Sequence, residues 1–152
     1  MRSQIRIAVL AGIGFALIPV CAFSAAQKNP NEQSIAVLET QAAQAQPREQ
    51  CYLYAQLVQQ MTELSLKSYA AGQVDEANQL LTRVQGVAAK VHQTLDPNNK
   101  RMKNAEILLS TTTFRLKEML HVIAFDDRAL VEETLAKVSN AQNAAMLQVF
   151  EK

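Results

Sequence analysis

The sequence predicts an all-α fold: an antiparallel up-down four-helix bundle of two αα-hairpins, preceded by a signal peptide and a flexible or partly helical tether. Three observations lead there. Apolar residues recur at three- and four-residue spacing along four long segments, which places them on one face of a helix in each. Gly72, Pro97 and Asp126 fall between those segments, where helices stop and start. The 152 residues leave room for one domain, so the four stripes have only each other to pack against.

Residues 1–26 read as a signal peptide of bacterial type. Arg2 and Arg6 form a positive n-region, and Ile7 to Cys21 is apolar and uncharged. Ser24 and Ala26 are small and two apart, so cleavage is expected near Ala26. The apolar run falls short of the ~20 residues a membrane span needs. Two alternatives compete. One is an uncleaved N-terminal anchor. The other is lipidation at Cys21, although Val20 and Ile18 depart from a lipobox. The expected destination is the periplasm or the medium, with no stable membrane span after cleavage.

Residues 27–47 read as the tether. They hold Pro30, Pro47 and seven Gln or Asn, with a short run from Ser34 to Leu38 and no sustained stripe. Gln41 to Gln46 suits a turn or two of helix at most.

The bundle is expected over residues 48–152. Pro47 suits the first turn of its first helix, because the missing N–H has no partner there in any case. The stripe is Cys51, Tyr54, Leu57, Met61, Leu64, Ser68 and Ala71, with Glu63 and Lys67 as an i, i+4 pair. Gly72 ends the helix by entering the left-handed conformation. The second helix runs on Val74, Ala77, Leu81, Val84, Ala88, Val91 and Leu95. Asp75 and Glu76 suit its positive N-terminal end, and Gly86 lies off the stripe.

Asp96-Pro97 breaks the chain again. The third helix is expected from Arg101 to Phe125, capped by Asp96 or Asn98. Its stripe is Met102, Ala105, Leu109, Leu116, Met119 and Ile123, with Thr112 filling the vacant slot and bonding back to its own helix. Asp126 is expected to cap the fourth helix, whose stripe is Val131, Leu135, Val138, Gln142, Ala145 and Val149. Arg128/Glu132 and Glu133/Lys137 are i, i+4 pairs on its outer side. Short connections predict that each helix packs antiparallel to the next.

Leu64, Gly72, Ala77 and Leu81, with the turn Gly-Gln-Val-Asp-Glu-Ala, resemble the helix pair of a tetratricopeptide repeat. The resemblance covers about 34 residues, one repeat length. No second copy follows, and Met61 stands where such repeats often carry a large aromatic. The resemblance implies an αα-hairpin and no peptide-binding groove.

Charge and chemistry narrow the function classes. Removing Arg2 and Arg6 from 15 basic residues leaves 13 against 14 acidic ones, a near-neutral chain without Trp. Such a chain has no field to hold nucleic acid. Cys51 is the sole cysteine after cleavage, so it is either a buried apolar residue or a thiol that cross-links two copies.

Glu118 and His121 form an E-x-x-H. A di-metal bundle needs that motif on two helices, and His92 has Ala89 three residues before it. The alternative for Glu118 and His121 is an outer-face ion pair. Met61, Met102, Met119 and Met146 form no Met-x-x-Met cluster and suit core filling. Lys100, Arg101 and Lys103 cluster before the third helix, as a solvated tip or as contacts for an anionic partner. Ser110 to Thr113 places four hydroxyls in mid-helix. No nucleophile–base pair or cofactor motif emerges.

The expected function is that of an exported, non-enzymatic bundle that needs no cofactor. It would act in the cell envelope as an adaptor, a chaperone-like binder or a self-associating subunit. The alternative is a metal- or small-ligand-binding bundle built on Glu118 and His121 or on the hydroxyl patch.

Overall fold

Chain breakers and helix ends set the element boundaries. In the computed structural model, which describes residues 30–150, α1 spans Pro30–Gln44, α2 Pro47–Ala70 and α3 Val74–Gln93. Helix α4 follows at Met102–Met119, then a 3-10 turn at Phe125–Asp127 and α5 at Arg128–Phe150. The described residues contain no strand, and the protein is an all-α helical bundle. The signal-peptide reading falls on residues 1–26, outside the described residues.

Local sequence accounts for most of these bounds. Pro47 occupies the first turn of α2, after Gln46 in extended backbone. At the other end of α2, Gly72 has φ +79°; its N–H reaches the Tyr69 carbonyl at 3.0 Å, and the Gln73 N–H reaches Ser68 at 2.8 Å. That is a Schellman closure, which satisfies two carbonyls the helix end would otherwise orphan. Ala71 is thereby the exposed C-cap and not part of the buried stripe. Asp75 and Glu76 sit in the first turn of α3 as expected.

The stripes supply most of the buried faces; in α5, Leu135, Gln142 and Val149 are only half-buried, and Thr134 and Ala141 take inner positions beside Val131, Val138 and Ala145. Cys51, Leu57, Met61, Leu81, Val84, Val91, Leu109, Leu116, Val131 and Val138 are all within 1% of full burial. Each of the Leu, Val and Met side chains among them contributes roughly 1.5–3 kcal/mol of hydrophobic stabilisation. In α2 the buried face is wider than the stripe alone and takes in Ala55, Val58, Thr62 and Ser65. Thr112 donates to the Leu108 carbonyl at 2.8 Å, the local bond expected of it.

Within the segment read as a tether, Pro30–Gln44 forms a packed helix. Helix α1 lies against α2 and buries Ile35, Leu38 and Ala42. Those three residues at i, i+3 and i+7 form a short stripe, masked in the sequence by the Gln residues around it. Arg83 of α3 holds Glu39 of α1 at 2.7 Å, so the C-terminal half of α1 leans towards α3.

The third helix is shorter than the stripe suggested. It stops at Met119, and Leu120–Ile123 turns through i→i−3 and i→i−4 bonds to Leu116, Glu118 and Met119. Val122 and Ile123 are β-branched and weak helix formers, and a bond from outside captures the next backbone amide, at Ala124. Asp126 lies exposed within the 3-10 turn and caps nothing. Asp96 and Asn99 shape the α3–α4 connection instead of capping α4: they accept from the Asn98 and Arg101 amides at 2.9 and 2.8 Å.

Neighbours also differ from the expected order. Helix α2 packs on α3, and α4 on α5, as two antiparallel hairpins. The other two contacts are α2 on α4 and α3 on α5. Along α2 and α4 the pairs Cys51–Met102, Glu63–Arg115 and Tyr69–Ala124 advance together, so these helices run parallel. Asn78–Asp127 and Gln85–Thr134 give α3 and α5 the same sense. One hairpin is therefore stacked on the other in register, with α3 and α4 across the diagonal. The α3–α4 connection is long enough to cross it, at up to ~3.5 Å per residue.

Candidate functional site

Glu118 and His121 do not converge on anything. Glu118 is exposed on α4 and accepts from Arg115 at 3.2 Å, one turn away. His121 is exposed in the turn that follows. No group of three or more potential metal-ligating His, Cys, Asp or Glu side chains gathers among the described residues. The notional Glu63–Lys67 pair is replaced by a bond between helices: Arg115 Nε donates to Glu63 Oε1 at 3.0 Å. Glu63 first, and Glu118 second, raise the Arg115 pKa above its ordinary value. Arg128–Glu132 and Lys137–Glu133 form as read, at 3.2 and 2.9 Å. These exposed pairs contribute little to stability.

The basic cluster is divided. The Arg101 guanidinium lies 3.8 Å from the centre of the Tyr52 ring, stacked on α2. Lys100 and Lys103 remain exposed.

Cys51 is fully buried, and its Sγ lies 3.9 Å from Met102 Sδ. Burial pushes its pKa up to about 11, against a smaller opposing effect of Thr94. A nucleophilic cysteine needs the reverse, a lowered pKa and access.

Two polar networks join the hairpins. At one end the Tyr69 hydroxyl accepts from the Ala124 amide at 2.7 Å and donates to Asp127 Oδ2 at 3.3 Å. Asp127 Oδ1 accepts from Asn78 at 3.1 Å. Midway, Gln85 donates to Thr134 at 3.0 Å and accepts from Lys137 Nζ at 2.8 Å. Nothing in the apolar spacing announced either network, because Tyr69 and Gln85 lie beside their stripes. In the hydroxyl patch, Thr111 and Thr112 bond to their own helix. Thr113, and Thr62 on the neighbouring α2, are buried with hydroxyls lacking a protein partner.

The surface carries the more informative feature. Of the large apolar side chains left exposed among the described residues, only Val37 lies on the first half of the chain. The others are Ile107 and Phe114 on α4, Val122 and Phe125 in the turn, and Met146, Leu147 and Phe150 on α5. Ile107 and Phe114 are two turns apart and point away from the buried face of α4. The second hairpin thus covers the first with one side and presents apolar groups on the other. The seven-residue spacing of Ile107 and Phe114 stands in the sequence, overshadowed by the longer apolar face of the same helix.

No helix of the described residues is long and apolar enough to cross a membrane. Comparison with models of known families, with curated proteins and with solved structures yields no match.

Proposed function

We propose that this chain is an exported, non-enzymatic interaction protein that works in the cell envelope through the outer side of its α4–α5 hairpin. The observation that carries the reading is the gathering of exposed apolar residues there, with Phe114 60% and Phe150 76% exposed. Apolar side chains grouped on one surface lose free energy to water that a partner recovers. Two features of the molecule support it: Cys51 is buried with a raised pKa, and His92 and His121 are exposed on separate elements. Arg2, Arg6 and the apolar run to Cys21 support export.

A photo-cross-linking amino acid at position 114 of the full chain, expressed in an exporting bacterial host, tests this. The expected result is a discrete adduct on irradiation of intact cells, absent when the same group replaces Glu49 on α2. Equal labelling at both positions, or none at 114, overturns the reading. N-terminal sequencing of the same sample should begin at Gln27.

A further inference from the structure

We propose that the occupant of this face is a second copy of the same chain, docked antiparallel along α4 about a two-fold axis between Ser110 and Thr111. The inference rests on the interaction reading above and names its partner. It begins from spacing. Lys103, Ile107, Ser110, Thr111, Phe114 and Glu118 lie on the side of α4 opposite its buried face, at 100° per residue. Steps of four and three residues lead inward to the centre, and steps of three and four lead outward from it. Reversing the helix about that centre maps Ile107 onto Phe114 and Lys103 onto Glu118.

Both superpositions are favourable. Ile107 is 50% exposed and Phe114 60%, so each offers the other an apolar surface now in water. Lys103 meets a carboxylate and Glu118 an ammonium, twice over by symmetry. The Arg115 contact to Glu118 is exposed and leaves one carboxylate oxygen free of it. Ser110 and Thr111 are small enough at the centre for the helices to approach. A face that is its own complement is the requirement of an isologous dimer.

The rest of the hairpin fits the same operation. Leu147 and Phe150 lie at the far end of α5, and Val122 and Phe125 at the α4–α5 turn, the opposite end of the hairpin. An antiparallel copy lays one end over the other. The operator centred on α4 thereby brings the two exposed apolar ends of the hairpin to opposite ends of one another.

Size sets the strength. Helix α4 has 18 residues, about 27 Å at 1.5 Å per residue, and two helices side by side are about 20 Å wide. Each copy can bury on the order of 600 Å², about 1,200 Å² in all, at the lower end for a specific interface. The dimer should therefore be reversible and dissociate on dilution.

Sedimentation equilibrium of the purified secreted chain, from low to several hundred micromolar, is the test. The expected mass doubles with concentration. Phe114→Glu should keep the chain monomeric throughout with an unchanged circular dichroism spectrum. Lys103→Glu and Glu118→Lys should each weaken association at least several-fold. The double swap should restore it, since only an antiparallel α4 pair brings 103 against 118. Ser110→Cys should form an interchain disulfide under air, whereas Lys103→Cys should not. Cys51 is too buried to interfere. A monomer at every concentration overturns the inference, as does a dimer indifferent to Phe114→Glu or one that the double swap fails to restore. A monomer that still yields a foreign adduct at position 114 in cells sinks the self-association alone and leaves the interaction reading standing.

Discussion

The Tyr69 hydroxyl accepts the Ala124 backbone N–H at 2.7 Å, across 55 residues of sequence. Through the same oxygen it donates to Asp127, which also holds Asn78 of α3. One phenol thus ties the end of α2, the start of α3 and the turn into α5. It also explains why α4 ends before Phe125: the Ala124 amide is taken by another helix. Tyr69→Phe removes one donor and one acceptor and is expected to cost about 1 kcal/mol, moderated by water at this partly exposed site. Urea unfolding measures the loss. Hydrogen exchange should quicken at residues 120–127 and remain unchanged in the middle of α2; uniform quickening would mean that Tyr69 does not act locally.

That bond marks the limit of what the stripes could say. Cys51, Leu57, Met61, Leu81, Val84 and Val138 are buried as their spacing implied, because a three-four period has one helical solution. A stripe names a face and not its neighbour. The stacking of α2 on α4 and α3 on α5 depends on which faces match in three dimensions, and on groups such as Tyr69 and Gln85 that lie off the stripes. The outer face of α4 was equally hard to read, because Ile107 and Phe114 are two isolated apolar residues among polar ones.

Helix α1 gives the sharpest contrast between composition and packing. Gln-rich sequence suggested a tether, yet Ile35 is 2% exposed and Ala42 fully buried. Ile35→Ala should cost about 2–4 kcal/mol, the range for truncating a buried aliphatic side chain. Exposed Val37 on the same helix provides the control, and Val37→Ala should change stability by less than about 0.5 kcal/mol. Denaturant midpoints of the two variants decide the matter. Equal, negligible effects would return α1 to the status of a tether.

The buried Cys51 thiol makes stability fall with alkaline pH. Its folded pKa of about 11 exceeds the ordinary 9.0. The folded state therefore keeps a proton that the unfolded state gives up. The stabilisation is complete below pH 9 and declines between pH 9 and 11, by on the order of 2 kcal/mol for this group. Cys51→Ala should lose about 1 kcal/mol at neutral pH through lost packing, and should also have a flatter stability profile from pH 9 to 11. An unchanged slope would assign the alkaline loss to other groups. In the native wild-type protein, a thiol reagent at pH 8 should react only after urea unfolds the chain.

Two glycines receive the same added methyl with opposite expected signs. A Cβ at Gly72 or at Gly86 would meet nothing within 4 Å, so neither substitution is decided by a clash. What differs is the backbone. Gly72 closes α2 at φ +79°, where an L-residue pays for the left-handed conformation, and Gly72→Ala should destabilise by about 1 kcal/mol. Gly86 is exposed in the middle of α3 with helical neighbours on both sides. There Ala restricts the unfolded chain and suits the helix, and Gly86→Ala should stabilise by up to about 1 kcal/mol. Thermal unfolding of both variants separates backbone conformation from packing, because packing is absent from each. Shifts of the same sign would show that Gly72 does not need its left-handed turn, and the Schellman closure of α2 would lose its explanation.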